Sequence, residues 1–113
     1  MSSIEVIEIK PFYKLMDYVL TRPLMFGIEN VKELQVFIEG YKVAMFDNDD
    51  DLSEFSDFND FIQDKYEIKG TYGWAKLVGL HSASNQHSLE VFKNVLEEFK
   101  LKKAKQKRKK IKQ

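Results

Sequence analysis

Asp47, Asp49, Asp50, Asp51, Glu54, Asp57, Asp60 and Asp64 place eight acids in one stretch with no Lys or Arg among them. Carboxylates at that density can ligate a divalent cation or present an anionic field to a basic partner. The first chemistry fails on spacing. An EF-hand loop starting at Asp47 has acids at its first, third and fifth positions, but Leu52 stands where the sharp turn requires Gly and Phe58 where the bidentate Glu belongs. Neither a metal nor a cofactor is expected. His81 and His87 are the only histidines, and their separation across a Ser- and Asn-rich stretch puts them on no common helical face. Ser82, Ser84 and Ser88 stand near them. A nucleophile, however, needs a base at hydrogen-bond distance and a third group to orient that base, and nothing in the spacing marks such a set. The histidines read as solvated loop residues. With no cysteine there is no thiolate chemistry either, and no enzyme is expected.

The anionic reading is stronger, because the formal neutrality of the chain hides a polarised molecule. Lys100 to Gln113 holds nine of the eighteen Lys and Arg and no acid, which leaves residues 1–99 with nine bases against eighteen acids, a net of −9. An anionic surface speeds capture of a basic partner and makes that capture salt-sensitive. Its plainest use is solubility alone. In a binding protein the acids would imitate a nucleic-acid backbone and occupy a cationic cleft, with an exposed Phe46, Leu52 or Phe55 as a desolvated anchor. A second reading makes the Lys/Arg tail the functional element, binding nucleic acid or another anionic surface. In a third, the tail folds over the chain's own acidic face and a partner must displace it.

In the elements that carry these groups, the apolar spacing is helical nearly throughout. Phe12, Leu15, Met16 and Val19 recur at steps of three and four over 11–21, with Pro11 suited to a first turn. Ile4 to Ile9 reads as helix or a short extended segment, helix being favoured. Arg22-Pro23 ends the first helix, and Gly27 keeps the following corner turned. Over 31–46, Leu34, Phe37, Ile38, Tyr41 and Met45 form one stripe, while Val36, Gly40 and Val43 form another, which predicts a central helix packed on two sides. Gly40 there implies the close approach of another backbone. Residues 47–54 read as an acidic connection, and Ser53 or Ser56 as the cap of a helix reaching Tyr66. On that helix Phe58, Phe61, Ile62 and Tyr66 share one face, and Asp57, Asp60 and Asp64 lie on the opposite one. Lys69 to Thr71 is a turn, 72–80 a short helix carrying Trp74, Leu77 and Val78, and 82–88 a polar loop. Leu89, Phe92, Val95, Leu96 and Phe99 make the cleanest amphipathic stripe. Beyond Leu101, repulsion among the cations should leave the tail frayed or disordered unless it finds an anionic surface.

These elements predict an all-α, single-domain bundle of about five helices over 1–100, followed by a basic tail over 101–113. One core is within reach of 113 residues that include nine Phe. The longest apolar runs are a few residues, so no membrane span is expected. The opening Met-Ser-Ser-Ile-Glu lacks a charged and apolar leader, and a soluble cytoplasmic domain is expected.

Arg22-Pro23-Leu24-Met25-Phe26-Gly27, then Leu34 with Phe37-Ile38-Glu39-Gly40-Tyr41, then the aromatic stretch Phe58 to Tyr66 and Gly73-Trp74-Ala75, together resemble a known pattern. It is that of small bacterial immunity proteins of polymorphic or contact-dependent toxin systems, and the likeness covers roughly residues 15–100. The chain departs from it at Gly27, which follows the aromatic directly instead of after a spacer. The resemblance implies a binding protein without catalysis, whose partner is the C-terminal domain of one cognate toxin. The residues themselves read more plainly. Arg22 to Gly27 shape an interhelical corner, and Gly40-Tyr41 and Trp74 serve packing.

Overall fold

The computed structural model describes residues 12–45, 49–68, 70 and 73–112. Ile4 to Ile9, Pro11, Phe46, Asp47, Lys69 and Thr71 lie outside them. The described residues form helices and no strand: α1 (Phe12–Thr21), a 3-10 turn (Pro23–Phe26), α2 (Val31–Met45), α3 (Asp50–Phe55), α4 (Phe58–Lys65), α5 (Trp74–Leu80) and α6 (Asn85–Lys112). The all-α architecture expected from the apolar spacing is present.

Three elements differ from expectation. The acidic stretch is not a connection. Asp49 adopts an extended backbone and its side chain accepts from the Leu52 N–H, so it starts a separate short helix, and the N-cap of the helix ending at Lys65 is Asp57 rather than Ser53 or Ser56. The chain then turns at Ser56 and Asp57, and the expected single helix is two, α3 and α4. The 82–88 segment, expected as a loop, becomes helical at Asn85. Ser84 Oγ accepts from the His87 N–H at 3.1 Å, and His87 Nδ1 accepts from the Ala83 N–H at 2.8 Å. This reciprocal pair satisfies donors that a helix start leaves free.

The centre of the fold is also elsewhere. The short α5 packs against α2, α4 and α6 and buries Trp74, Ala75, Leu77 and Val78. By contrast α2 buries only one stripe, Val31, Leu34 and Ile38. Its expected second stripe faces solvent, with Val36 68% and Val43 70% exposed, and no heavy atom lies within 4 Å of where a Cβ on Gly40 would sit. Among the described residues, the close backbone approach inferred from Gly40 is absent. Gly27, in contrast, is required by its backbone. It closes the 3-10 turn at φ +70, in the left-handed region that glycine enters without steric cost.

Around α5 the core is aromatic. Phe55 stacks on Phe58 at 4.8 Å and meets Phe12 at 4.7 Å. Phe58 meets Phe99 edge-on at 5.3 Å, and Trp74 packs on Phe92 at 5.0 Å. Such offset and edge-to-face contacts add about 0.5–1.5 kcal/mol each beyond the area they bury. Leu52 and Phe55, expected as exposed anchors for a partner, are 6% and 5% exposed and belong to this core.

Candidate functional site

The eight acids divide by what the fold does with them. Asp47 lies outside the described residues. Asp49, expected on the partner-facing surface, is instead buried: one carboxylate oxygen accepts from the Leu52 N–H at 3.1 Å and the other from the Tyr41 hydroxyl. Asp51 is half-buried and accepts from the Tyr13 N–H at 3.3 Å, so an acid on α3 holds a first-turn donor of α1. Glu54 accepts from the Tyr13 hydroxyl at 2.8 Å. These three acids fasten α3 onto α1 and α2, and their sequence signal is that of any helix start, a run of Asp before an apolar pair.

Burial, together with the bond to Glu54 and the charges of Glu54, Asp51 and Asp49, pushes the Tyr13 phenol well above its ordinary 10.0. Tyr41 is raised likewise, first by burial and then by its bond to Asp49 and the charges of Asp49 and Asp51. Both phenols therefore stay protonated as donors.

The remaining acids line the outer side of α3 and α4. Asp50, Asp60 and Asp64 are exposed, and no salt bridge links them to a cation among the described residues. Asp60 and Asp64 stand one turn apart, with Asp57 one turn earlier, as the helical period requires. Asp57 and Glu54 form the edge of this surface and are engaged from outside by the chain's own tail. Lys103 Nζ lies 2.6 Å from Asp57 and Lys107 Nζ 3.0 Å from Glu54. The basic segment thus meets the condition under which it was expected to order, an anionic surface, and α6 runs through Lys112.

The other chemistry-bearing residues serve helix ends. Ser88 is buried. It accepts from the Val31 N–H at 3.0 Å and donates to the Asn85 carbonyl at 2.6 Å, so a hydroxyl on α6 caps α2. His81 is exposed, as expected, and also stacks on Tyr66 at 3.8 Å, with its Nδ1 2.9 Å from the Leu77 carbonyl at the end of α5. Burial raises the Tyr66 phenol, against the opposing effect of Lys65. Among the described residues no group of three or more His, Asp or Glu could hold a metal ion, and no helix is long and apolar enough to cross a membrane. Comparison with protein-family models, curated proteins and solved structures finds no match.

Proposed function

We propose that this chain is an immunity-type binding protein that neutralises the C-terminal domain of a cognate bacterial toxin, its acidic surface covering a cationic active-site cleft such as that of a nuclease. The observation supporting this reading is the row of acids on the outer side of α3 and α4: Asp50, Asp60 and Asp64 are spent on neither caps nor described ion pairs. Exposed acids of this kind contribute steering and orientation more than affinity.

The experiment is capture of a toxin domain by the purified protein, followed by stopped-flow association at low salt. Changing Asp50, Asp60 and Asp64 together to Asn slows association about tenfold or more, within the range of lost steering. Unchanged association in a partner-binding protein would remove these acids from the site. Recovery of nucleic acid in place of a protein, lost when the Lys residues beyond Leu101 are neutralised, would make the tail the functional element instead.

A further inference from the structure

The C-terminal part of α6 has little reason to be helical by itself. Among the side chains described, Phe99 is the last buried apolar one, Leu101 is 59% exposed, and from Lys100 onward cations crowd at spacings of three and four with no acid between them. Like charges at those spacings destabilise a helix, and an isolated segment of this length is marginal in water. Lys102 Nζ stands 5.5 Å over the Phe61 ring, and the segment's other contacts come from one face. Lys100, Lys103 and Lys107 fall within about 60° of one another around the helix axis and turn toward α1, α3 and α4. Lys100 Nζ stands 5.0 Å over the Tyr13 ring, Lys103 pairs with Asp57 and Lys107 with Glu54. The Tyr13 hydroxyl donates to the same Glu54 that Lys107 meets, so tail, α1 and α3 close one connected network.

We infer that this part of α6 is an autoinhibitory strap: Lys103 and Lys107 occupy Asp57 and Glu54, and a cationic segment of a partner reaches those two carboxylates only by displacing them. The inference rests on the binding reading above for the nature of that partner, but the strap is a property of this chain alone. An intramolecular competitor lowers apparent affinity by the fraction of molecules in which the site is open. It also withholds these two edge carboxylates from weakly cationic surfaces while yielding to a strongly cationic one. Release frees Glu54, Asp57 and the basic segment together, so an anion bound to the tail and a cation bound to these two acids favour each other reciprocally.

The test uses the full chain and a labelled, end-blocked peptide copying residues 100–113 as the cationic probe, at an ionic strength of about 0.01 M, where the Debye length is roughly 30 Å. An exposed ion pair shifts an equilibrium by about 1.4- to 5-fold. Lys103→Gln with Lys107→Gln therefore tightens peptide binding at least about threefold. Lys93→Gln with Lys105→Gln makes the same change in net charge at two exposed positions that form no ion pair among the described residues, and leaves binding within about twofold. Equal gains in the two variants would mean that net charge alone governs binding, and the strap would be wrong. A second arm follows amide hydrogen exchange over residues 102–107. Protection is lost in Glu54→Gln with Asp57→Asn, and its persistence there would also overturn the inference. Neither arm involves a toxin, so failure here is distinct from failure of the toxin reading, which is judged by capture of the toxin domain.

Discussion

Phe55 separates two accounts of the acidic stretch, because an exposed anchor and a core residue respond oppositely to truncation. The ring is 5% exposed and lies 4.7 Å from Phe12, 4.8 Å from Phe58 and 5.9 Å from Trp74. Truncating a buried Phe to Ala costs about 3–5 kcal/mol through lost transfer free energy and the cavity left behind. Rings held on several sides cannot collapse inward, so the upper half of that range applies to Phe55→Ala. At about 2.1 cal/mol/K of unfolding entropy per residue, a chain of 113 residues shifts its midpoint by about 4 °C per kcal/mol. Phe55→Ala then lowers Tm by about 15–20 °C. It removes about a quarter or more of a typical total stability of about 5–15 kcal/mol. Urea unfolding followed by the fluorescence of Trp74, the single tryptophan, measures the change directly. The midpoint falls while the slope stays constant, since the surface exposed on unfolding is nearly unaltered. A loss below about 1 kcal/mol, the scale of an ordinary surface substitution, would refute the burial of α3 and return Phe55 to the role of partner anchor.

Gly40→Ala stabilises the protein by about 1 kcal/mol, because an exposed helical glycine with open space around it gains propensity without a clash; a lower melting temperature would show a neighbour over α2. Asp49→Ala costs about 2–4 kcal/mol, through the lost cap of α3 and the lost bond from the Tyr41 hydroxyl. Asp49→Asn keeps the cap and costs less, so equal losses in the two variants on chemical denaturation would contradict the cap geometry. Alkaline pH destabilises the fold. Tyr13 and Tyr41 have folded pKa values raised above the ordinary 10.0, so the folded state keeps protons that the unfolded state loses. Their contribution is complete below pH 10 and is lost progressively above it. In an ultraviolet titration these phenols ionise together with unfolding, and independent titration of all five tyrosines near pH 10 in a folded protein would disprove their burial.

Much of the fold was legible because amphipathic periodicity is a local property. Phe12, Met16 and Val19, or Leu89, Phe92, Leu96 and Phe99, mark a buried stripe whatever they pack against, and Arg22-Pro23 with Gly27 marks a corner through backbone sterics alone. The candidate site was legible only as a run of acids. Deciding which acids face solvent required the path of the chain at Ser56 and Asp57, where α3 folds back and takes Asp49 and Leu52 inward. For the same reason Val36, Gly40 and Val43 satisfied a helical spacing as well as Leu34 and Ile38 did, and only the position of α5 determined which stripe it would cover. The sequence by itself determined an all-helical chain, its aromatic core residues and its charge segregation, since these follow from side-chain type and spacing along one element. The tertiary structure decided where the charges go. Lys103 meets Asp57 across 46 residues, an encounter that depends on three helices packing around Phe58 and Phe99.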